Sequence, residues 1–492
     1  MRQTLKRLTK MTAGYGLVQW AGPFISLILT PIITRILTPA DYGVADFLLT
    51  TSSAIATVST LALPMALSAH YNDSPEPAWK RRVVGSALTA ALPLAMGVGL
   101  ALAVFAKPLL QVLMGQSTYA PLLQAIGLSF GFGAGASLFT TAAQADLRVR
   151  WGMLFSVNTI ACTVIGNVLF IVVLRLGVTG MILTPILIGV STCLLGIVLT
   201  RSLVGRPSHD TVALLLRSGA ILLPTVIASW MLQVVDRFFL VRYVSITELG
   251  YYSMANKIAS LLGVAMAPVY GAWSPMALAM QRESGAQQQL TAMARYLVAA
   301  ALAGSLALGL FSTEILIVLT RPAYLPAAPY VGLLTYIHVF SAINTTLFIS
   351  GMIDKRLKAI SGAVVGGAIF NLALNFALIP RYGIWGASIA TAIGYGTPIV
   401  LLYWRIRDRL PSNYPVRQIV LAMAAELAIL GLGLLIPPIK FPLRVGLKIA
   451  VSCLLPLAFI GVGLVTRLEL EQGRLFVINQ FNRWRRASHK IT

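Results

Sequence analysis

Fourteen apolar segments follow one another along the chain, and each approaches or exceeds the roughly 20 residues that a helix needs to cross a bilayer. They lie at 11–34, 42–68, 83–106, 117–143, 152–174, 179–200, 218–241, 249–277, 291–313, 325–350, 359–379, 383–404, 418–437 and 443–466. Only 11% of the 492 residues are charged, against about 25% in soluble domains. The sequence therefore predicts an all-α polytopic membrane protein with about 14 transmembrane helices.

The positive charge of the chain is distributed unevenly between the loops on the two sides of these segments. Of the 38 lysines and arginines, 27 fall on the side that holds both termini and 10 on the other side. Cytoplasmic loops are enriched in cations, so both termini are predicted to be cytoplasmic. The net charge of +23 is then mainly a signal of topology. It also suits binding to anionic membrane lipids, and we do not expect a nucleic-acid partner.

Several functional classes are excluded by what the polar segments lack. No GxxxxGK[ST] motif occurs, so ATP hydrolysis on this chain is not expected. The three cysteines have no CxxC spacing and the four histidines no metal-ligand spacing, so neither a metal nor a cofactor is predicted. The loops on the side opposite the termini are short, which argues against a sugar polymerase or ligase, and we expect no enzymatic activity.

Two short polar stretches share a pattern at an offset of 207 residues. RILTPADYG at 35–43 and RYVSITELG at 242–250 both read R-x-x-[ST]-x-x-[DE]-x-G. A Ser or Thr followed three residues later by an acid is a capping box, in which each side chain accepts a hydrogen bond from the other residue's backbone N–H. The pattern predicts two equivalent helix starts, one for the second and one for the eighth span.

A second pair of stretches repeats at nearly the same offset. RLGVTG at 175–180 and RYGIWG at 381–386 both read R-x-G-x-x-G and precede the sixth and twelfth spans. Each predicts a tight turn followed by a close helix contact. Six spans per unit is an even number, so the two repeats are parallel. The predicted organisation is an N-lobe at 1–217, a C-lobe at 218–410, and two extra helices with a basic tail at 411–492.

Four motifs resemble those of a known transporter family. They are TPADYG opening the second span, VDRFFL in the seventh, ELGYYSMANKIA opening the eighth, and NLALNFALIPRYGIWGASIATAIG across the eleventh and twelfth. In this order they resemble the polysaccharide-transporter branch of the multidrug/oligosaccharidyl-lipid/polysaccharide exporter superfamily, the bacterial oligosaccharide flippases that include O-antigen flippases. The resemblance covers spans one to twelve.

The resemblance implies two six-helix lobes around a central cavity, working by alternating access in the bacterial inner membrane. It implies a cargo of undecaprenyl-pyrophosphate-linked O-antigen or exopolysaccharide repeat units. A polysaccharide polymerase or assembly complex is a candidate partner, and the chain is expected to be a monomer. The alternative function is a multidrug or organic-cation antiporter of the same superfamily.

Ionisable residues inside the spans are the candidate site residues, because each costs about 3 kcal/mol to insert at the centre of a bilayer. Lys257 lies seven residues after Gly250, about 10 Å into the eighth helix, where an ammonium facing a cavity suits a pyrophosphate. The alternative is an ion pair with Asp236. Asp236 and Arg237 are further candidates, although helix neighbours point about 100° apart and should not satisfy each other well.

Two more candidates lie in the first half of the chain. Asp46, one turn inside the second helix, is a hypothetical proton or cation coupling site, with an interhelical hydrogen bond as the alternative. Arg35 is assigned either to the cavity mouth or to the headgroup level. Two acids, Glu426 in the thirteenth span and Glu314 after the ninth, are interpreted as structural and interfacial, respectively.

Overall fold

A computed structural model describes residue 22 and residues 25–280, 286–353, 356–408, 410, 414–437 and 441–465. The basic N-terminus and the basic tail lie outside the described residues. The α-helices are α1 Ile25–Ile36, α2 Pro39–Ser59, α3 Leu63–His70, α4 Pro77–Met114, α5 Ala120–Leu128, α6 Phe130–Ala145, α7 Val149–Gly166, α8 Val178–Thr200, α9 His209–Val234, α10 Asp236–Tyr243, α11 Ile246–Met280, α12 Ala286–Leu310, α13 Ser312–Leu319, α14 Ala328–Ile353, α15 Leu357–Ile406, α16 Val416–Leu434, α17 Phe441–Ser452 and α18 Leu454–Gly461.

Over their described residues, the fourteen predicted apolar segments consist mainly of helix, the first of them at residue 22 and from residue 25 on. Within the described ranges, nine helices are long and apolar enough to span a membrane, or up to 11 when each bent pair is one span. One of the nine, Lys358–Ile406, is two helices divided at Gly383. The described part of the chain contains no strand. The prediction of an all-α polytopic membrane protein is confirmed.

The two predicted helix starts form the same capping box. At α2, the Thr38 hydroxyl accepts from the Asp41 N–H at 3.1 Å, and the Asp41 carboxylate accepts from the Thr38 N–H at 2.9 Å. At α11, Ser245 and Glu248 make the same two bonds at 3.2 and 2.9 Å. Each box satisfies two backbone donors that a helix start otherwise leaves without partners. Both helices therefore begin where the sequence predicts.

The two R-x-G-x-x-G stretches also fold alike. Gly177 has φ 59° and ψ −127°, and Gly383 has φ 52° and ψ −126°, a conformation that essentially only glycine adopts. The last glycine of each motif then packs closely. A Cβ on Gly386 would lie 2.4 Å from the Leu378 carbonyl oxygen, and one on Gly180 3.0 Å from side chain and backbone of the preceding helix. The predicted turn and close contact are confirmed in both copies.

The buried apolar side chains form three larger groups. One draws on residues between 63 and 215, a second on residues between 262 and 464, and a third on both halves of the chain, where α2 meets α11. The end of the bundle that carries the two capping boxes is called the capping-box end below, and the other is the opposite end. The lobe boundaries at 217 and 410 stay predictions.

The two spans outside the repeat attach to the second half through buried acids. The Tyr336 hydroxyl of α14 donates to the Glu426 carboxylate of α16. The Lys448 ammonium of α17 lies 2.8 Å from the Glu314 carboxylate of α13. Only 9% of the Glu314 side chain is exposed, so this acid is buried among the helices, and its interfacial depth stays a prediction. Burial of this carboxylate requires the cation that α17 supplies.

Candidate functional site

The two repeated polar stretches pack directly against each other. A Cβ on Gly250 would lie 1.9 Å from the Pro39 carbonyl oxygen, and one on Gly43 would lie 2.5 Å from the Ile246 carbonyl oxygen. Only the absence of a side chain at both glycines lets the α2 and α11 backbones approach this closely. The first turns of the two repeats therefore meet at the capping-box end.

Further contacts between the halves lie at the same end. The Tyr324 hydroxyl donates to the Leu37 carbonyl oxygen at 3.1 Å. The Thr34 hydroxyl donates to the Leu319 carbonyl oxygen at 3.2 Å. The Tyr324 ring also packs edge-on against the Tyr42 ring, with centroids 6.3 Å apart. These contacts hold the two halves together across the capping-box end.

Asp46 lies beneath these contacts and binds the second half of the chain. The Ser253 hydroxyl of α11 donates to Asp46 Oδ2 at 2.7 Å. Arg237 Nε of α10 donates to the same oxygen at 2.7 Å. The interhelical hydrogen bond proposed as the alternative role of Asp46 is therefore present. About a quarter of the Asp46 side chain is exposed.

Arg237 lies between two carboxylates. Besides Asp46, it contacts Asp236 Oδ1 through Nη1 at 3.2 Å, and Nη1 also donates to the Gln233 carbonyl oxygen at 3.1 Å. The expectation that Asp236 and Arg237 cannot satisfy each other is wrong. The long Arg237 side chain folds back along its helix, so that Nη1 reaches both Asp236 Oδ1 and the Gln233 carbonyl oxygen. Only 6% of the Arg237 side chain and 3% of the Asp236 side chain are exposed, so both are buried within the protein.

Asp236 is held by two further hydroxyl groups. The Tyr252 hydroxyl of α11 donates to its carboxylate, and the Thr391 hydroxyl of α15 donates to Oδ2 at 3.2 Å. These bonds and Arg237 account for both carboxylate oxygens. The predicted alternative of a Lys257–Asp236 ion pair is wrong, because Asp236 is already neutralised by a residue closer in sequence.

Lys257 lies one helical turn below Ser253 on α11. Its ammonium sits 5.6 Å from the centroid of the Tyr42 ring of α2, in cation–π contact. Within the described ranges, no carboxylate lies within ion-pair distance of this ammonium. The structure therefore places the cation between the two halves with an aromatic face as its neighbour, and it leaves its predicted role as a cargo contact open to experiment.

Arg35 lies apart from this group. It is exposed near the end of α1, at the same end of the bundle. The structure thus brings together four of the five predicted site residues in one layer, here called the charged layer: Asp46, Asp236, Arg237 and Lys257. Within the described part of the chain, no group of three His, Cys, Asp or Glu residues could hold a metal ion.

Several polar residues of the site were not predicted from the sequence. Ser253 could have been found from the repeat, because it is the counterpart of Asp46 at the 207-residue offset. Asn371 and Asn375 form a buried amide pair beside Thr391, in which Asn375 Nδ2 donates to Asn371 Oδ1 at 3.0 Å and Asn371 Nδ2 to the Ala390 carbonyl oxygen at 2.9 Å. Their i, i+4 spacing in NLALN was the available signal.

The sequence matches a known protein family. Residues 8–281 match the model of a family described as polysaccharide biosynthesis protein. The match covers more than half of the chain and includes α2, α10 and α11, which carry the charged layer. The chain belongs to this family. The resemblance to polysaccharide transporters drawn from the sequence motifs is confirmed.

Solved structures with the same fold are transporters. The lipid II flippase MurJ in an inward closed conformation is 15% identical, with 92% of this chain and 98% of that chain covered and a TM-score of 0.69. An inward-facing multidrug resistance MATE family transporter of the MOP superfamily is 14% identical, with 81% and 94% covered and a TM-score of 0.62. A mutant of the Vibrio cholerae MATE transporter VcmN is 15% identical, with 83% and 98% covered and a TM-score of 0.55. These structural likenesses show that this chain has a two-lobe helical fold.

A curated relative matches only a segment. An uncharacterised membrane protein of Methanocaldococcus jannaschii is 31% identical over 129 residues, which is 26% of this chain. The chain covers 24% of that relative's length.

Proposed function

We propose that the protein is a flippase that moves undecaprenyl-pyrophosphate-linked O-antigen or exopolysaccharide repeat units across the bacterial inner membrane by alternating access. The observation that carries this proposal is the charged layer between the two halves of a polysaccharide biosynthesis family member. In that layer Lys257 has an aromatic neighbour, and among the described residues its ammonium forms no ion pair, although Asp46 acts on it electrostatically from a longer distance. An ammonium in such a place is available to a pyrophosphate.

The contacts at the capping-box end support a role for this end as a closed gate. Gly43 and Gly250 touch there, and below them Arg237 of the second half bonds Asp46 of the first. Opening this end requires those contacts to break. We propose that cargo enters from the opposite end, that its pyrophosphate meets Lys257, and that the lobes then exchange contacts so that the capping-box end opens.

Asp46 is the proposed coupling site. Its Oδ2 accepts from both Arg237 and Ser253. Protonation of this carboxylate, or binding of a cation to it, would remove the charge that holds Arg237 across the gate. Gate opening is therefore proposed to follow loading of Asp46, and the driving force is an ion gradient or the cargo gradient rather than ATP.

The lobe boundaries, sidedness and partners belong to the same proposal. The N-lobe is 1–217, the C-lobe is 218–410, and 411–492 adds two helices and the basic tail. From the excess of cations in alternate loops we propose that the capping-box end faces outward and that both termini are cytoplasmic. We further propose that the protein works as a monomer and passes its product to a polysaccharide polymerase or assembly complex.

Purified protein in liposomes tests this function. Fluorescent undecaprenyl-pyrophosphate oligosaccharide in both leaflets should become fully accessible to an impermeant quencher, without ATP, when the protein is present. Empty liposomes and liposomes with the Lys257→Gln variant are the controls. Movement that occurs only with ATP, or no movement of lipid-linked sugar together with efflux of organic cations, would contradict the proposal and favour the multidrug alternative.

A further inference from the structure

The face of α2 that carries Asp46 continues as a stripe of hydroxyl groups toward the opposite end. Ser53, Thr57 and Thr60 follow Asp46 at seven, eleven and fourteen residues, which returns each to the same face of a helix with 3.6 residues per turn. They line a cavity of about 460 Å³, together with Ser52, Ser59, Ser129 and Ser137. The charged layer of the first half thus passes into an uncharged surface, in which these hydroxyl groups lie among apolar side chains such as Leu49, Phe130 and Ile186.

The second half repeats this arrangement on the seventh span. Arg237 is followed toward the opposite end by Gln233 and Ser229, at successive spacings of four residues. Both line a second cavity of about 260 Å³, whose other polar side chains are Ser341, Asn344, Thr345 and Tyr395. In the second half too, the charged residue Arg237 is followed along the helix by neutral hydrogen-bonding side chains.

The residues that line the first cavity all belong to the first half, but one of them contacts the second half. Trp230 of α9 donates from Nε1 to the Ser53 hydroxyl oxygen at 3.2 Å. Ser53 is one of the residues lining the larger cavity, so the seventh span of the second half reaches the cavity of the first. The neutral surface is therefore placed where a cargo held in the charged layer would extend.

Most of the hydroxyl groups that line both cavities present hydrogen-bond acceptors rather than donors. Ser53 donates to the Thr50 carbonyl oxygen at 2.8 Å and Thr57 to the Ser53 carbonyl oxygen at 2.7 Å. In the second cavity, Ser341 and Thr345 donate to their own helix in the same way, at 2.7 and 2.8 Å. A hydroxyl that donates to its helix keeps only lone pairs for a ligand. The cavities therefore offer mostly acceptors, and none of the described residues that line them is charged.

We propose that the sugars of the cargo occupy this neutral surface and that the protein selects oligosaccharides of neutral sugars over those that contain acidic sugars. This inference rests on the proposed function. Sugar hydroxyls are donors that match the acceptor oxygens. A carboxylate on a sugar would face those same oxygens, with no cation to compensate its charge away from water. The pyrophosphate avoids this penalty because it stays at the level of Lys257.

A matched pair of cargoes tests the selectivity in liposomes. One is an undecaprenyl-pyrophosphate tetrasaccharide of neutral hexoses, and the other differs only in one hexose oxidised to the hexuronic acid. The neutral cargo should be flipped at least about tenfold faster. Equal rates, or faster movement of the acidic cargo, would overturn the selectivity while leaving the flippase function intact. Movement of neither cargo would overturn the proposed function itself.

A charge placed in the cavity provides the reciprocal test. Ser137 of α6 is exposed to the first cavity, so Ser137→Lys should raise flipping of the acidic cargo relative to the neutral one. Ser137→Met, which adds similar length without charge, is the control and should keep the wild-type preference. If both variants shift the preference equally, size rather than charge sets it and the inference fails. If Ser137→Lys does not fold, the wild-type comparison of the two cargoes still decides.

Discussion

Ser253 donates a 2.7 Å hydrogen bond to Asp46, the residue that occupies its own position in the other repeat. The two are 207 residues apart, which is the repeat offset. A bond between equivalent positions means that they face each other near the axis relating the two halves. The repeat has therefore kept a common scaffold at this point while one copy acquired an acid and the other a hydroxyl. Arg237 adds the cation that makes the pair a charged contact between the halves.

Loss of Arg237 should destabilise the protein more than loss of its partner Asp46. Arg237→Gln leaves the buried Asp236 carboxylate without a cation, at a cost of about 3 kcal/mol in the free energy of unfolding. Asp46→Asn leaves Arg237 paired with Asp236, so its cost should be about 1 kcal/mol. Thermal unfolding of the detergent-solubilised variants measures both. A larger loss for Asp46→Asn would show that Asp236 does not neutralise Arg237.

The Gly250 contact should not tolerate a methyl group. Gly250→Ala places a Cβ 1.9 Å from the Pro39 carbonyl oxygen, so α2 and α11 must separate, at a cost of about 1–3 kcal/mol. Gly271→Ala on the same helix is the matched control, because nothing lies within 4 Å of its Cβ. Alanine there should leave the melting temperature unchanged or slightly raised. Similar shifts for both variants would mean that the helices do not touch at Gly250.

Charge, rather than shape, should matter at Lys257. Lys257→Arg should keep part of the flipping activity, whereas Lys257→Gln should lose most of it, because a neutral amide does not offset phosphate charge in a cavity of low dielectric constant. The abundance of both variants in the membrane should stay near wild type, since no acidic partner among the described residues is left unpaired. Complementation of polysaccharide display in a deletion strain measures activity. Full complementation by well-expressed Lys257→Gln would rule out the cargo contact.

Reporter fusions should fix the sidedness of the bundle. Fusions at residues 75, 209 and 410 lie at the opposite end and should report a cytoplasmic location. Fusions at 112 and 440, the latter outside the described residues, should report an external one. The expectation follows from the excess of lysine and arginine in alternate loops. A cytoplasmic signal at 440 would contradict the fourteen-span topology.

The sequence by itself determined the features that depend on neighbours along the chain. Apolar length predicted the helices, and the Thr38–Asp41 and Ser245–Glu248 spacing predicted two helix starts, because a capping box closes within one turn. Gly177 and Gly383 marked turns for the same reason, since a backbone that only glycine adopts is a local property. The two pairs of repeated motifs predicted that the two halves of the chain are related by duplication.

Only the tertiary structure decided which faces of these helices meet. In a lipid environment a side chain facing the acyl chains is as apolar as one facing another helix, so the hydrophobic pattern does not identify the packed face. Asp46, Arg237 and Ser253 were visible as polar residues, but their contacts join positions 191 and 207 residues apart. Asp236 pairs with Arg237 rather than with Lys257, and no local pattern predicts this. The Asp46 carboxylate that also binds Arg237, and the Tyr252 and Thr391 hydroxyls that bind Asp236, come from other helices.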